Sequence, residues 1–210
     1  FTSSADGRWT AWTTDERGQV RVWWSDGRRK RCLAKYDHKL TRIVDPTYPV
    51  MAWHPSLPVL AHIHEEKGRV FLTISDAASG DSEERELFRI EKVIDLDWSP
   101  DGRRIAFSGV RAGHTDLHVF NTLAGSQVPL WEDSWDDHHP EWTPDGNGLL
   151  FSSNRPDENE PEALPTVPSG RKRDLWLYRL DQQDFERITT TPDADEVRPR
   201  ILDDDTYVYQ

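Results

Sequence analysis

A tryptophan followed by a proline recurs along this chain at a nearly constant interval. Two full copies of the motif are Trp98-Ser99-Pro100-Asp101-Gly102 and Trp142-Thr143-Pro144-Asp145-Gly146, and a shorter copy is Trp53-His54-Pro55. The three tryptophans are spaced by 45 and 44 residues. A fixed period of this length is typical of repeat architectures, in which each repeat is one supersecondary unit that packs on its neighbours. The repeat therefore constrains the fold more than any single residue does.

Each copy is followed by short segments in which aromatic and β-branched residues recur at every second position. After Trp98 these are residues 104–108 and 116–120, and Gly, Pro, Asn and Asp bound them as they bound β-strands. A polar segment such as residues 86–90 supplies a fourth strand. Four short strands in about 40–45 residues are typical of one blade of a β-propeller. The sequence therefore predicts an all-β protein, a β-propeller built of four-stranded antiparallel blades.

The blade units are expected at about residues 1–45, 46–91, 92–134, 135–192 and 193–210 of a single propeller segment. The first and last are incomplete copies, so we expect three full blades and two partial ones. A closed propeller buries its edges by joining its first and last blades. The segment is therefore expected to belong to a longer chain, and the alternatives are a five-bladed ring closed by the two partial blades and an open array. The fourth unit is 14 residues longer than the others, and the excess lies in a proline-rich loop around residues 155–172.

The Asp-Gly pairs of the repeat are expected in two-residue hairpin turns. Such turns need positive φ angles, which glycine adopts without a steric penalty. The second unit carries Ser56-Leu57 where Asp-Gly is expected, so its turn type is left open.

Composition excludes several classes of protein. The 26 Lys and Arg against 38 Asp and Glu give a net charge of −12, which argues against a protein that coats nucleic acid or an anionic membrane. No apolar run approaches 18 residues, so no direct membrane insertion is expected. The basic run Arg28-Arg29-Lys30-Arg31 is interpreted as a solvated strand edge. The single cysteine, Cys32, excludes an intrachain disulfide framework and a cysteine-only metal site.

Known catalytic motifs are absent from the sequence. It lacks the nucleophile elbow, the phosphate-binding loop, the C-x-x-C pair and the dinucleotide-binding glycine pattern. His64-Glu65-Glu66-Lys67-Gly68 begins like a zinc-protease helix but has no second histidine. We therefore predict no catalytic residue, no enzyme activity and no cofactor.

The candidate binding residues lie where the chain enters the first strand of a blade. In a propeller those side chains approach the central channel or its mouth, so we expect them to form a polar face for a peptide, an ion or a partner loop. The alternative is that these Asp and His side chains cap loop amides and hold water in a wet channel. The candidates are Tyr48, Asp95, Trp135, Asp136, Asp137, His138, His139 and Arg198.

Two patterns admit a metal as an alternative. His62 and His64 alternate, so in a strand both project from one face, and a third ligand such as Glu65 would complete a site. Asp-rich loops, including Asp203–Asp205, are candidates for calcium, although none has a defined ligand spacing. We predict no metal site from either pattern.

Several segments resemble the WD-like propeller repeats of the TolB family. They are WSPDGRRIAFSG, EWTPDGNGLLFSSNRP, RDLWLYRL and ERITTTP. The same repeat type occurs in the gating propellers of prolyl-oligopeptidase and tricorn-type peptidases. The resemblance covers nearly the whole chain and is strongest at residues 93–121 and 136–191.

The resemblance implies a non-catalytic scaffold for protein–protein interaction. By analogy with the family, such a scaffold works in the periplasm or on the cell surface of a bacterium, with one or more protein partners and as a possible member of a larger complex. One alternative is an accessory propeller of a serine peptidase whose catalytic domain lies outside these residues. Another is a propeller that senses a ligand or a metal.

Overall fold

The computed structural model describes residues 1–16, 18–37, 48–156, 172–191, 193–203 and 206–210. In these residues all regular secondary structure is β-strand, which confirms the predicted all-β class. The described residues contain no helix long and apolar enough to cross a membrane. The chain divides into two compact units, Phe1–Lys92 and Val93–Gln210.

The first unit contains two antiparallel four-stranded sheets, each with its strands in chain order. The first sheet comprises β1 (Thr2–Ser3), β2 (Thr10–Glu16), β3 (Gln19–Ser25) and β4 (Lys30–Asp37). The second sheet comprises β5 (Met51–Trp53), β6 (Val59–Glu66), β7 (Arg69–Asp76) and β8 (Ser82–Glu86).

The second unit contains two further four-stranded sheets and a two-stranded hairpin. The third sheet comprises β9 (Lys92–Trp98), β10 (Arg104–Arg111), β11 (His114–Asn121) and β12 (Ser126–Pro129). The fourth sheet comprises β13 (Asp137–Trp142), β14 (Gly148–Ser153), β15 (Asp174–Arg179) and β16 (Asp184–Arg187). The hairpin comprises β17 (Arg200–Asp203) and β18 (Thr206–Val208).

The first sheet corrects the expected number of complete blades. The sequence analysis treats the first unit as partial, but β1 pairs with β2 through Thr2 with Ala11 and Ser3 with Thr10, which completes four strands. The described residues therefore form four four-stranded sheets and one partial sheet. A two-residue strand is too short to show an alternating pattern, and so the sequence did not reveal it.

The Asp-Gly motif forms a five-residue loop rather than a two-residue turn. In the third sheet Ser99 Oγ donates to Asp101 over 2.6 Å and accepts the Arg104 amide over 2.9 Å, while Gly102 has a φ of 67°. Thr143 makes the same contacts in the fourth sheet, and Ser4 in the first. Gly therefore has the predicted positive φ, but the hydroxyl two residues before Asp fixes the loop.

The two-residue turns lie elsewhere, between the second and third strands. Lys67-Gly68 has φ angles of 55° and 80°, and Ala112-Gly113 has 52° and 86°, as a type I′ turn requires. In the second sheet, the loop after β5 lacks the hydroxyl, and the His54 ring replaces it. Its Nδ1 accepts the amides of Ser56 and Leu57, each over 3.1 Å.

The cores of both units lie between consecutive sheets. In the first unit, Trp24 of β3 packs with Trp53 and Leu60 of the second sheet. In the second unit, Leu117 of β11 packs in one cluster with Trp142 and Trp176 of the fourth sheet. Trp53 and Trp142, two of the repeat's three tryptophans, thus pack against side chains of the preceding sheet.

Candidate functional site

The first strands of the second unit present polar side chains at two repeated positions. Asp95, His139 and Arg198 each lie three residues before the repeat's tryptophan position, which is held by Trp98, Trp142 and Ile201. Asp97, Glu141 and Arg200 lie one residue before it. We call these six residues the first-strand face.

The backbone at the first-strand face departs from regular strand geometry. His139 and Arg198 have φ angles of 54° and 53°, and each precedes a proline, Pro140 or Pro199. The pairing of β13 with β14 shifts register between His138 and Glu141. Bulges of this kind redirect a side chain, and positive φ at residues other than glycine clusters at functional sites. The deviation recurs at two of the three equivalent positions, whereas Asp95, which is followed by Leu96 and not by a proline, lacks it.

Carboxylates of the first-strand face also join consecutive sheets. Asp97 Oδ2 in the third sheet accepts the Trp142 amide of the fourth sheet over 3.0 Å. Glu141 in the fourth sheet accepts the amide of Ile201 in β17, and it forms an ion pair with Arg200. In the second unit the residue before the tryptophan position thus links the third sheet to the fourth and the fourth sheet to the hairpin.

The protonation of this face is set mainly by burial. Burial and the charge of Glu141 raise the pKa of Asp97, and burial likewise raises the pKa of Glu141 against the opposing effect of Arg200. Burial lowers the pKa of His139, and the neighbouring Arg198 lowers it further, while Asp95 opposes this. His139 is therefore neutral near pH 7.

Asp137 differs from the predicted binding role, because its side chain is buried. It is 0% exposed, and its Oδ2 accepts from Arg155 over 2.7 Å and from Trp131 Nε1 over 2.6 Å. Burial raises its pKa to about 6, against the opposing charge of Arg155. Asp137 therefore anchors the start of β13 and is inaccessible to a partner.

Two further carboxylates surround this ion pair. Oxygens of Asp116, Asp133 and Asp137 lie within 4.8 Å of one another, a spacing that metal sites share. Arg155 contacts both Asp137 and Asp133, the latter over 3.4 Å, so its guanidinium supplies the compensating positive charge. The arrangement fits a structural ion pair better than a cation site.

The other predicted residues of this segment make local contacts. Asp136 accepts the Thr115 amide over 3.2 Å, and its own amide donates to Asn154 Oδ1 over 2.8 Å. The Trp135 amide donates to Asp133 over 2.8 Å. Burial and the charge of Arg173 lower the pKa of His138 to about 4. The Asp136 side chain therefore caps the backbone amide of Thr115.

Tyr48 belongs to the first unit, where its ring lies 5.9 Å from Lys92 Nζ. The peptide bond between Tyr48 and Pro49 is cis.

His62 and His64 share one face of β6, as their alternation predicts, and both contact Tyr36 of β4. His62 Nε2 lies 2.5 Å from Tyr36 Oη, and the His64 ring stacks on the Tyr36 ring with centroids 3.8 Å apart. Glu84 Oε2 lies 3.5 Å from His64 Nε2. Both histidines are buried, and burial lowers their pKa values to about 3 and about 4. The pair therefore packs the first sheet against the second in neutral form.

Two residues of the candidate calcium loop, Asp204 and Asp205, lie outside the described residues. Most of the long loop, residues 157–171, lies outside them as well. The bounds of that loop agree with the sequence arithmetic, since β14 ends at Ser153 and β15 begins at Asp174.

Sequence reasoning missed Asp97, Glu141 and Arg200. Their signal was available, since each precedes the tryptophan position by one residue, and aligning the copies on that position places the three together. Arg155 carried a weaker signal: the same alignment places Arg111 at its position in the third sheet, but Arg111 pairs with the exposed Glu132 and not with a buried acid.

Solved propeller structures are similar to this chain along most of its length. TolB from Acinetobacter baumannii has a TM-score of 0.64 at 13% identity, covering 94% of this chain and 44% of that one. A putative TolB from Agrobacterium tumefaciens has a TM-score of 0.63 at 20% identity, covering 89% and 63%. The tricorn protease has a TM-score of 0.64 at 13% identity, covering 94% and 17%. The fold is that of a TolB-type β-propeller.

Sequence comparison adds less. No protein-family model matches the chain. An uncharacterized protein of Agrobacterium fabrum is 26% identical over 98 residues, which are 47% of this chain and 29% of that protein. The chain thus spans less than a third of this curated relative and less than two thirds of each of these solved propellers.

The four-stranded sheets described above are propeller blades, and β9, β13 and β17 are the first strands of the blades in the second unit.

Proposed function

We propose that this chain is a non-catalytic propeller scaffold that binds a protein partner through the first-strand face, within a bacterial cell-envelope or secreted assembly. The observation that carries the proposal is the repeated placement of Asp95, His139 and Arg198 three residues before the tryptophan position in three successive copies of the repeat. Two of these residues have the positive φ that redirects a side chain. The likeness to TolB propellers supports the scaffold role and, by analogy, a periplasmic or cell-surface location.

The charges of this face suit recognition rather than chemistry. Asp95 and Arg198 place opposite charges on either side of the neutral ring of His139. A partner that offers a cation to Asp95 and a carboxylate to Arg198 would be oriented by both contacts. Complementary charges of this kind contribute mainly to specificity and to the rate of association.

Photo-crosslinking in the source bacterium tests this function. The native polypeptide would carry a photoreactive phenylalanine derivative in place of Arg198, which is exposed, and the control would carry it in place of Glu83 of β8. We expect an adduct of discrete mass with one partner from position 198 and none from position 83. Equal adducts from both positions, or none from either, would overturn the proposal.

The match to the tricorn protease favours a second candidate, an accessory propeller of a peptidase. Labelling the native polypeptide with a fluorophosphonate probe distinguishes the two. A covalent adduct on a serine of that polypeptide would favour the peptidase, and no adduct at full probe excess would favour the scaffold.

A further inference from the structure

We propose that Asn147 is a site of spontaneous covalent modification, where the side-chain amide reacts with the main-chain nitrogen of Gly148 and becomes an aspartyl or isoaspartyl residue. The site lies in the loop of residues 143–148, which joins β13 to β14. The folded loop slows this reaction, and opening of the loop permits it. The inference goes beyond the proposed scaffold function and does not depend on any partner.

The reactive pair occurs at one place in the sequence. Asn147 is the only asparagine of the chain that precedes a glycine. Glycine has no Cβ, so its backbone reaches conformations that other residues avoid, and its nitrogen can approach the preceding side chain without a steric clash. Arg103 and Arg104 hold the equivalent positions in the third sheet. The pair therefore belongs to the fourth sheet and not to the repeat.

The reaction consumes one water and releases one ammonia. The Gly148 nitrogen bonds to Asn147 Cγ, the bond between Cγ and Nδ2 breaks, and the proton of the Gly148 amide leaves with that nitrogen as ammonia. Water then opens the resulting cyclic imide. Attack at Cγ gives aspartate, whereas attack at the main-chain carbonyl carbon gives isoaspartate, in which the main chain runs through Cβ and Cγ. No oxidant, metal or cofactor takes part.

Three hydrogen bonds of the folded loop oppose the attack. The Gly148 amide donates to Thr143 Oγ1 over 2.8 Å, so the attacking nitrogen is occupied. Asn147 Nδ2 donates to Asp145 Oδ2 over 3.3 Å, and the Asn147 amide donates to Asp145 Oδ1 over 2.9 Å. Hydroxyl and carboxylate side chains that bond to nearby backbone amides in this way fix the local conformation. The reaction therefore requires the contact between Thr143 and Gly148 to break.

The Asn147 side chain is nevertheless accessible to water. Asn147 is exposed, and its equivalent Arg103 is exposed as well, although the fourth sheet packs against the third. The exposure therefore belongs to this place in the repeat. Loops open locally at a lower free energy than the whole domain unfolds. Opening of this loop alone would thus expose the Gly148 nitrogen while the sheet stays folded.

Modification would disturb the contact between the third and fourth sheets. Arg104 of β10 donates to Gly146 O over 2.9 Å, with its guanidinium 4.4 Å from the centre of the Trp142 ring. An isoaspartyl residue lengthens the main chain by one atom directly after this acceptor. Either product also places a second carboxylate beside Asp145, and like charges repel. We therefore expect the modified protein to unfold at a lower urea concentration than the unmodified one.

Mass spectrometry of proteolytic fragments tests the proposal, because replacing an amide by a carboxyl group changes the fragment mass. The native polypeptide would be incubated at mildly alkaline pH, folded and in urea, beside a capped peptide of residues 143–150, Thr-Pro-Asp-Gly-Asn-Gly-Leu-Leu. We expect conversion at Asn147 in the urea-unfolded chain at the rate of the peptide. In the folded protein it should be slower by about tenfold or more, because the rate follows the fraction of open loop.

Two variants test the role of the Thr143 hydroxyl. Thr143→Val keeps the shape of the side chain and removes the acceptor of the Gly148 amide, so conversion should be about fivefold faster than in the wild type. Ser4→Ala removes the corresponding hydroxyl from the first sheet and is the control, for which we expect the wild-type rate at Asn147.

Three results would overturn the proposal. They are no conversion at Asn147 in the unfolded chain, equal rates in the folded and unfolded chains, and equal rates in Thr143→Val and the wild type. The first two comparisons use the unmodified sequence, so they decide the question even if the variant fails to fold. None of these results depends on the crosslink from position 198, which tests the proposed function separately.

Discussion

Arg155 and Asp137 form a buried ion pair in the second unit, with a guanidinium nitrogen 2.7 Å from Asp137 Oδ2. Asp137 begins β13, and Arg155 follows the end of β14, so the pair ties the entry of one strand to the exit of the next. The guanidinium also lies 4.1 Å from the centre of the Phe185 ring. The pair thus fixes the end of the fourth sheet from which the long loop leaves.

Removing one member of this pair should strongly destabilise the protein. In Asp137→Ala the buried guanidinium of Arg155 loses its main partner, and such losses cost about 3–5 kcal/mol. Urea unfolding at pH 7 measures the change. The double variant Asp137→Ala/Arg155→Met should recover part of the loss, because no buried charge is then left unpaired. A loss in Asp137→Ala as small as that in the exposed variant Glu83→Ala would contradict this account.

The buried histidines of the first unit should make the protein sensitive to acid. Their folded pKa values are about 3 for His62 and about 4 for His64, whereas an unfolded histidine titrates near 6.5. Between pH 6.5 and 4 the unfolded chain binds protons that the folded chain does not, so stability falls as the pH falls. In His62→Gln/His64→Gln, unfolding free energies measured from pH 7.5 to 4.5 should decline less steeply than in the wild type. Equal slopes would show that neither histidine is buried in neutral form.

Asp116 should have the opposite effect on the pH dependence of stability, because its contribution decreases as the pH rises. Burial raises its folded pKa to about 6, so the folded state binds the proton more tightly than the unfolded state, and this contribution to stability is lost as the pH rises from about 4 through 6. Asp116→Asn retains an acceptor for the Asp133 amide and carries no charge. Its stability should rise relative to the wild type across that range, by about 1 kcal/mol at pH 7, because the shift is worth at most about 3 kcal/mol and solvent screening reduces that value. Asp101→Asn is the control with the opposite sign, because hydrogen bonds lower the pKa of Asp101.

Replacing Asp97 should lower the stability of the protein, whereas replacing Asp95 should weaken binding of the partner. Asp97→Ala removes the acceptor of the Trp142 amide, and an unpaired donor costs about 1–3 kcal/mol. In the described residues the Asp95 carboxylate accepts the amide of its neighbour Leu96. Asp95→Ala should therefore unfold at nearly the wild-type temperature but bind the crosslinked partner more weakly. Thermal melts and affinity measurements on both variants test this, and a large loss of stability in Asp95→Ala would contradict it.

The repeat made the fold predictable, while local contacts between side chains did not follow from it. The spacing of Trp53, Trp98 and Trp142 predicted four-stranded antiparallel blades, since burial between sheets requires a large apolar residue once in each copy. The turn after β5 was left open because no rule of turn chemistry assigns a histidine ring the role of Ser99 Oγ. Strand β1 was missed because two residues carry no periodicity.

The candidate site followed partly from the same alignment. Asp95, His139 and Arg198 occupy one repeated position, so the sequence placed them on a common face. Asp137 was assigned to that face because the residue type alone does not reveal burial, which depends on Arg155 and Trp131 from other parts of the chain. Positive φ at His139 was equally unpredictable, since it arises from the register shift within β13.

The affinity of the native polypeptide for its crosslinked partner tests the central claim most directly. Calorimetry would compare the wild type with the charge-swapped variant Asp95→Arg/Arg198→Asp, and with Arg69→Glu/Glu86→Arg, which swaps an exposed ion pair in the first unit. We predict at least tenfold weaker binding for the first variant, unchanged binding for the second, and a melting temperature within a few degrees of the wild type for both. Wild-type affinity in the first variant would show that the first-strand face is not the binding surface.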